Sequence, residues 1–460
     1  MAEKKKVVIV GAGSAGYVCA IRASQLGAQV TVIEKDSPGG TCVNAGCIPT
    51  KTFIESAELL ENIQNAASLA VKAGDASIGF PRLLERKEKI IQVLRNGIQS
   101  FFAKNHVSLV AGTVTQVTPG QVRLQDENGN GKSMDADAIV IATGSAPSMP
   151  RPFSSPAENV ITSAEALNLE EAPRRFLIVG GGAIGVEFAY MFSAFGSEVT
   201  VVEQMERLIP SEDNDSAGII AKAFARRNIK IHTGEAVDKI EPASGGLKAT
   251  LSSGTSINCD KLLVATGRVP NTAEMGLDEL GILDDRGRVR VNSRMQTAVG
   301  GILAIGDAVP GPMYAHKASA EGMVAAENIM GGDMEMDYRV VPRCIYTNPE
   351  VAAVGLTEQD AKAGGKNVTV KSSRYSTFAK AWVTGNKDGM MKIVADSSTD
   401  EILGIHITGE RATDLIGEAV MAMESEATPE LIGRAIHPHP TFCEGLMETA
   451  RKLTGTAIHT

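Results

Sequence analysis

A short apolar strand, a glycine-rich turn, a helix and a second strand that ends in glutamate occur twice in this chain. The first copy has its turn at residues 11–16 and its acid at Glu34, and the second has its turn at residues 180–185 and its acid at Glu203. The glycines of such a turn permit a tight bend, close approach of a pyrophosphate and close helix packing, and the acid reaches a ribose diol. The sequence therefore predicts an α/β protein with two Rossmann-like dinucleotide-binding domains.

Each copy closes on a strand that ends in Ala-Thr-Gly, at residues 142–144 and 265–267. One copy could be a degenerate scaffold, but both keep every element, so we expect two nucleotide sites. In the second copy a carboxylate at Glu203 would repel the 2′-phosphate of NADP. No arginine immediately follows it, although Arg207 is near. This pattern favours NAD.

The first copy is the longer one because it contains a segment with two cysteines, Cys42 and Cys47. Neither a straight strand nor an undistorted helix brings residues five apart within the roughly 7 Å Cα separation that a disulfide needs. A bridge requires an irregular turn, which Asn44 and Gly46 tolerate, and Pro49 fits the first turn of a following helix. The positive end of that helix favours a thiolate. Spacing alone leaves a redox pair and two packed cysteines equally open, and we predict no metal site because zinc would need a second ligand pair.

The length and charge of the chain limit its partners and its compartment. Its 460 residues suggest three or four domains, and six cysteines in so long a chain suit a reducing compartment. The 45 basic and 54 acidic residues give a net charge of −9, which argues against nucleic acid as a partner. We find no long apolar stretch and no signal peptide, so we predict a cytoplasmic protein with no membrane partner. A cleaved organellar form would look the same.

Two further motifs carry polar residues at positions suited to chemistry. Asp307 follows a buried strand and could bind a sugar-like chain, although a plain turn explains it equally well. His439 lies between Pro438 and Pro440 and precedes Glu444, so it could be an oriented general base or simply a loop residue.

A helical pattern at residues 318–330 ends at two glycines, residues 331–332. Beyond them, strand candidates at residues 351–354, 392–395 and 402–407 alternate with turn residues, which predicts a separate α+β domain.

Taken together, these motifs resemble the flavin-dependent pyridine-nucleotide:disulfide oxidoreductases, from residue 7 to about residue 450. The resemblance is carried by residues 11–16 with Glu34, 39–51, 180–187 with Glu203, 265–271, 306–307, 346–355 and 437–444. It implies two Rossmann-like domains and a C-terminal α+β dimerisation domain. The implied boundaries are an FAD-binding domain at 1–145, an NAD-binding domain at 146–270, a central domain that completes the FAD site at 271–336, and the dimerisation domain at 337–460.

The resemblance also implies which residues hold the two cofactors. For FAD these are Gly11, Gly13, Ser14, Ala15, Gly16, Glu34, Lys35, Gly40, Thr41, Lys51, Val114, Thr143, Gly144, Ser145, Asp307 and Ala315. For NAD they are Gly180, Gly182, Ala183, Ile184, Gly185, Glu203, Val237, Gly267 and Arg268.

The implied catalytic roles centre on the cysteine pair. Cys47 would face the flavin and Cys42 would exchange with substrate, and Lys51 would pair with Glu187 beside the flavin. His439, supported by Glu444, would deprotonate an incoming dithiol. The family's dimerisation domain presents this histidine to the disulfide of a second subunit, which implies an obligatory homodimer.

The segment at residues 437–441 resembles the lipoamide branch of the family. This implies oxidation of dihydrolipoamide on the lipoyl-carrying protein of a 2-oxo acid dehydrogenase or glycine cleavage complex, with NAD as acceptor. The alternatives are another NAD(P)H-dependent disulfide reductase, such as a glutathione-type reductase, and a flavoprotein that serves as a scaffold. Mercuric reductases end in a cysteine pair that this chain lacks. Phe442 and Cys443 depart from the commonest family residues, which leaves the shape of the substrate pocket open.

Overall fold

A computed structural model describes residues 4–154 and 158–459. The chain divides into two compact units. Unit 1 comprises Met1–Thr52, Leu84–Ser148 and Gly267–Asp337, and unit 2 comprises Phe53–Leu83, Met149–Thr266 and Tyr338–Thr460. Among the described residues, every helix is too short or too polar to span a bilayer.

The α-helices of the described residues are α1 Ser14–Gln25, α2 Gly40–Ala45, α3 Cys47–Gln64, α4 Phe80–Lys104, α5 Ser163–Ala166, α6 Ala183–Ala194, α7 Asn214–Arg226, α8 Ala315–Ile329, α9 Glu358–Ala363, α10 Ala379–Thr384, α11 Ala412–Glu424, α12 Pro429–Arg434 and α13 Glu444–Thr454. Short 3₁₀ turns lie at Ala66–Leu69, Gly306–Ala308 and Tyr375–Thr377.

The strands are β1 Lys6–Val10, β2 Gln29–Glu34, β3 Ser108–Ala111, β4 Thr113–Thr118, β5 Gln121–Gln125, β6 Gly131–Asp135, β7 Ala138–Ile141, β8 Ser145–Pro147, β9 Val160–Ile161, β10 Arg175–Val179, β11 Glu198–Glu203, β12 Lys230–Thr233, β13 Val237–Ala243, β14 Gly246–Leu251, β15 Ser256–Cys259, β16 Lys261–Val264, β17 Arg268–Pro270, β18 Ile302–Ala304, β19 Arg343–Ile345, β20 Glu350–Gly355, β21 Val368–Arg374, β22 Met390–Asp396 and β23 Ile402–Gly409.

Unit 1 is built on a parallel sheet with the strand order β18-β7-β1-β2-β3. Side chains alternate along β1, so Val7 and Ile9 join the core under α1, α4 and α8, and Val8 and Val10 join a second core with β4 and β5. Because the strands are parallel, their carboxyl ends meet at one edge. The turn at residues 11–16 follows β1 at that edge.

Unit 2 contains a second parallel sheet, with the order β12-β11-β10-β16-β9. One face packs on the antiparallel strands β13–β15. On β10 and α6, the rings of Phe176 and Phe192 lie 4.8 Å apart, centroid to centroid. The turn at residues 180–185 leaves the carboxyl end of β10, as its counterpart leaves β1.

Unit 2 also contains an antiparallel sheet with the order β19-β20-β23-β22-β21. Its apolar face shares a core with α11, α12 and α13. The predicted fold class is therefore confirmed: two parallel sheets with glycine turns precede a C-terminal α+β region. The domain boundaries at residues 145, 270 and 336 stay a prediction.

Candidate functional site

The first glycine turn requires glycine at two positions. Gly11 has φ +106°, and a Cβ there would lie 2.4 Å from the carbonyl oxygen of Ala142. A Cβ on Gly16 would lie 1.9 Å from the carbonyl oxygen of Gly11. Both distances are far below any van der Waals contact, so only glycine lets α1 start this close to β1 and β7.

The second glycine turn repeats this geometry in unit 2. Gly180 has φ +108°, and a Cβ there would lie 2.3 Å from the carbonyl oxygen of Ala265. A Cβ on Gly185 would lie 1.8 Å from the carbonyl oxygen of Gly180. The two turns are therefore the same structure built twice.

The middle glycine of each turn, unlike the other two, has room for a side chain. A Cβ on Gly182 would meet nothing within 4 Å, and one on Gly13 would meet only the Cα of Gly40 at 3.7 Å. Gly13 and Gly182 are the N-caps of α1 and α6, and neither helix has a side-chain cap or an acid in its first turn. The first amides of each helix, at Ser14 and Ala183, are thus available to an anion.

The two acids are held against these turns in the same way. Oε2 of Glu34 accepts from the amide of Ala12 at 2.7 Å, and Oε2 of Glu203 accepts from the amide of Gly181 at 2.5 Å. The other oxygen of each carboxylate accepts from the amide two residues further along the chain. Each carboxylate therefore lies beside its turn, where the ribose of a dinucleotide would come within reach.

Residues at the edge of the unit 1 sheet fit a bound dinucleotide. The hydroxyl of Thr143 is buried and has no hydrogen-bond partner among the described residues, so a bound group would satisfy it. Together with the uncapped start of α1, this fits the adenine dinucleotide that the first turn predicts. Gly144 and Ser145 follow Thr143 into β8, Val114 lies in β4, and Ala315 is the first residue of α8.

The cysteine segment folds as two helices separated by one residue. Cys42 lies within α2, and Cys47 is the first residue of α3. The break falls at Gly46, with φ −138° and ψ −110°. The prediction of an irregular turn there is confirmed at Gly46 but is wrong for Asn44, which is helical and donates its side-chain amide to the carbonyl of Ser37 at 3.2 Å.

The electrostatics of the pair follow from its neighbours in unit 1. Both residues are thiols. The hydrogen bond with Cys47 raises the pKa of Cys42 well above its ordinary value, burial raises it further, and Ser14 and Lys51 act in the opposite direction. When the pair is reduced, the proton is therefore retained at Cys42, in a hydrogen bond with Cys47.

Asp307 belongs to a chain of polar contacts in the same unit. Its Oδ2 accepts from the hydroxyl of Ser145 at 2.6 Å, and Nε of Arg268 donates to that hydroxyl at 2.7 Å. Burial lowers the pKa of Arg268, and the negative charges of Asp307 and Cys47 act in the opposite direction. The structure thus brings Ser145, Arg268 and Asp307 together, and the assignment of Gly267 and Arg268 to NAD stays a prediction.

The two histidines of the proline-rich segment have different environments in unit 2. His439 is 70% exposed, and its Nδ1 lies 2.8 Å from Oε1 of Glu444, whose Oε2 accepts from the amide of Thr441 at 2.9 Å. His437 is 7% exposed, with Nε2 at 2.7 Å from Oε1 of Glu418 and Nδ1 at 3.0 Å from the carbonyl of Ala435. His439 therefore presents Nε2 outward with its other nitrogen held by a carboxylate, which is the geometry of an oriented base.

The remaining predicted residues fall in different parts of the chain. Lys51 lies in the first turns of α3 in unit 1, and Glu187 lies buried in α6 of unit 2, where it accepts from the amide of Tyr346 at 3.0 Å. Their pairing stays a prediction. Gly40 and Thr41 open α2, Lys35 follows β2, and Val237 is the first residue of β13.

Sequence reasoning missed one charged pair at the edge of the unit 1 sheet. Lys317 and Glu321 are fully buried in α8, where they form an ion pair at 3.1 Å. A Lys and a Glu four apart on a helix are usually a solvated surface pair, so no signal in the sequence marks these two as buried.

Family models match most of the chain. Residues 5–322 match the pyridine nucleotide-disulphide oxidoreductases, and residues 341–450 match the dimerisation domain of the same family. The chain is 38% identical to a dihydrolipoyl dehydrogenase of Bacillus subtilis, with 100% of both chains covered, and 38% identical to one of Thermus scotoductus, with 98% of both covered. The crystal structure of LpdA from Mycobacterium tuberculosis is similar at a TM-score of 0.91, with 28% identity over 98% of this chain and 99% of that one.

Proposed function

The chain belongs to the pyridine nucleotide-disulphide oxidoreductase family, and from this we propose that it oxidises protein-bound dihydrolipoamide to lipoamide and reduces NAD. The full-length similarity to dihydrolipoyl dehydrogenases supports this substrate. The observation that carries the proposal is the placement of Cys42 and Cys47 on either side of one helix break, in hydrogen-bond contact, in the unit that holds the first glycine turn.

The cofactors are FAD and NAD. We assign FAD to the residues of the first turn, with Glu34, Thr143 and Asp307, and NAD to the second turn with Glu203. When bound, FAD supplies the two-electron relay between sulfur and nicotinamide. The choice of NAD over NADP is supported by Glu203, whose carboxylate lies at the second turn and would repel a 2′-phosphate.

The sulfur chemistry consists of two exchanges. His439 removes the proton of one substrate thiol, and the thiolate attacks Sγ of Cys42; the Cys42–Cys47 bond breaks and Cys47 leaves as a thiolate. The second substrate sulfur then attacks the sulfur bonded to Cys42, which closes the disulfide of lipoamide and releases Cys42. The substrate loses two electrons and two protons. The cysteine pair gains the electrons, one proton stays on His439, and the other goes to Cys42, whose raised pKa retains it.

Glu444 has a defined part in the first exchange. Its carboxylate holds Nδ1 of His439 at 2.8 Å, so Nε2 accepts the substrate proton and the imidazolium that forms lies beside a negative charge. In the proposed homodimer, this base would act on the cysteine pair of a second copy of the chain. The match of residues 341–450 to the family's dimerisation domain supports the dimer.

The test is a direct assay of the holoenzyme. Purified protein mixed with NAD and dihydrolipoamide should form NADH, and Cys42→Ser should abolish that activity while FAD stays bound. Cys344→Ser, a cysteine outside the pair, serves as the matched control and should retain activity. Turnover that survives in Cys42→Ser would exclude the proposed exchange, and rapid reduction of glutathione disulfide by NADPH without any dihydrolipoamide oxidation would favour the alternative reductase.

The natural substrate we propose is the lipoyl-carrying protein of a 2-oxo acid dehydrogenase or glycine cleavage complex. The test compares turnover of free dihydrolipoamide with turnover of a reduced lipoyl domain from each complex. The lipoyl domain from one of the two complexes should have a higher kcat/KM than free dihydrolipoamide. Equal, poor turnover of both domains alongside good turnover of the free dithiol would contradict the assignment.

A further inference from the structure

Lys317 and Glu321 form a fully buried ion pair that the proposed mechanism does not use. Both side chains are 0% exposed, and Nζ lies 3.1 Å from Oε1 across one turn of α8. Taking two charges out of water costs more than their attraction returns unless further hydrogen bonds satisfy them, and apolar residues of similar volume often pack as well. The other hydrogen-bond partners of Lys317 and Glu321 therefore indicate the role of the pair.

Both charged groups bind one residue, Gly306. The amide of Gly306 donates to Oε2 of Glu321 at 2.7 Å, and Nζ of Lys317 donates to the carbonyl oxygen of Gly306 at 3.1 Å. Gly306 has φ +76°, and a Cβ there would lie 3.1 Å from Cβ of Ala15. The pair thus fixes the two polar backbone groups of a residue in a conformation that glycine favours.

The residue that follows this clamp is Asp307. It is half-buried, whereas the residues from 302 to 306 before it are buried. Its carboxylate accepts from the hydroxyl of Ser145 at 2.6 Å. The backbone direction at Gly306 therefore sets where the Asp307 carboxylate lies at the edge of the parallel sheet.

We propose that Lys317 and Glu321 are positioning residues that hold the Gly306 backbone and thereby aim Asp307 at the sugar chain of FAD. This inference rests on the assignment of FAD to unit 1 made above. The hydrogen bonds to Gly306, and not the buried charge itself, support FAD binding.

Two double variants separate the hydrogen bonds from the charge. Lys317→Met/Glu321→Leu removes both charges and both bonds to Gly306. Lys317→Met/Glu321→Gln also removes both charges, but it keeps an acceptor for the Gly306 amide at similar volume. In the Leu variant the buried amide of Gly306 is left without its acceptor, so that apo-protein should also melt at a lower temperature than the Gln variant. FAD should bind about tenfold more weakly to the Leu variant than to the Gln variant, because the Gly306 backbone is no longer held. Equal FAD affinity in the two variants would overturn the proposal.

A second measurement covers the case in which the Leu variant does not fold. Asp307→Asn is introduced into the wild type and into Lys317→Met/Glu321→Gln, and FAD affinity and the visible flavin spectrum are recorded. This double variant lacks the bond from Lys317 to the carbonyl oxygen of Gly306. If the clamp acts through Asp307, the substitution should therefore cost less affinity in the double variant than in the wild type. Identical losses in both backgrounds would overturn the proposal. A wild-type protein that binds no FAD would instead refute the proposed function, so the two failures are distinguishable.

Discussion

His437 and His439 lie two positions apart, and their different surroundings support His439 as the proposed base. His437 has both ring nitrogens within hydrogen-bond distance of protein oxygens and is nearly buried. His439 has one nitrogen held by Glu444 and is mostly exposed. The sequence pointed to His439 through its flanking prolines and Glu444, but it gave no sign that His437 meets Glu418, which lies 19 positions away.

Substitution of the two histidines should therefore give different results. His439→Gln should lower kcat for dihydrolipoamide oxidation roughly a hundredfold or more, because the dithiol must then lose its proton to water. His437→Gln should mainly lower the melting temperature. The measurements are NADH formation and thermal unfolding, and equal loss of activity in both variants would contradict the assignment of the base.

The paired acids provide a second test at the residue scale. Glu203→Ala should weaken NAD binding about tenfold and leave FAD in place, because a ribose contact and a turn contact are both lost. Glu34→Ala is the matched control in the other turn and should weaken FAD instead. Titration of NAD and the flavin absorbance of the purified proteins report the two affinities; an unchanged NAD affinity in Glu203→Ala would exclude the second turn as its site.

At the scale of elements, the glycines of the two turns determine how closely each helix packs against its sheet. Gly185→Ala places a methyl group against the carbonyl of Gly180 and should lower the free energy of unfolding of unit 2 by about 1–3 kcal/mol. Gly182→Ala meets open space, so it should fold normally but weaken NAD, because the methyl group occupies the face that a pyrophosphate approaches. Urea unfolding and NAD titration separate the two effects. A destabilised Gly182→Ala with normal NAD affinity would contradict this division.

Local patterns predicted the elements that depend on neighbouring residues. The predicted strands at residues 351–354, 392–395 and 402–407 lie within β20, β22 and β23. The helix predicted from residue 318 begins at Ala315. Asn44 is helical because a helix of one turn and a half fits before Gly46, a detail that turn propensity does not resolve.

Contacts between residues far apart in the chain could not be predicted in this way. The family resemblance implies that Arg268 contacts NAD, which stays a prediction, but nothing in the sequence indicated that its guanidinium donates to Ser145, 123 positions away. The spacing of Lys317 and Glu321 is typical of a surface pair, but both side chains are buried in the fold. Spacing fixes the local geometry of a turn, but it does not determine which distant groups close around a side chain.

At the scale of the whole molecule, a buried histidine links stability to pH. His406 lies in the antiparallel sheet of unit 2, and burial lowers its pKa from 6.5 to about 4; its neighbours are Asp213, Arg343, Lys392 and the carbonyl of Leu356. Because the unfolded chain binds this proton more readily, the free energy of unfolding should fall by up to about 3 kcal/mol as pH drops from 7 to 4. Burial raises the pKa of the Asp213 carboxyl, but its hydrogen bond with Lys392 and other contacts lower it by more, so the net pKa is below the ordinary value. The free energy of unfolding that this carboxylate contributes is therefore also lost as the pH falls.

The matched variants for this prediction are His406→Gln and His232→Gln. Urea unfolding at pH 5 and pH 7 should show a smaller pH dependence in His406→Gln than in the wild type. His232 is only partly buried, so His232→Gln should behave as the wild type does. A pH dependence that is unchanged in His406→Gln would assign the effect to other groups.

The claim on which the account depends is that a cleavable disulfide and a flavin act in one electron path. Anaerobic titration of the oxidised holoenzyme with dithionite counts the electrons that each protomer takes up. The account predicts two electrons for the Cys42–Cys47 disulfide and two for FAD in the wild type, and only the two for FAD in Cys42→Ser. A wild-type protein that takes up no more electrons than Cys42→Ser would contradict it.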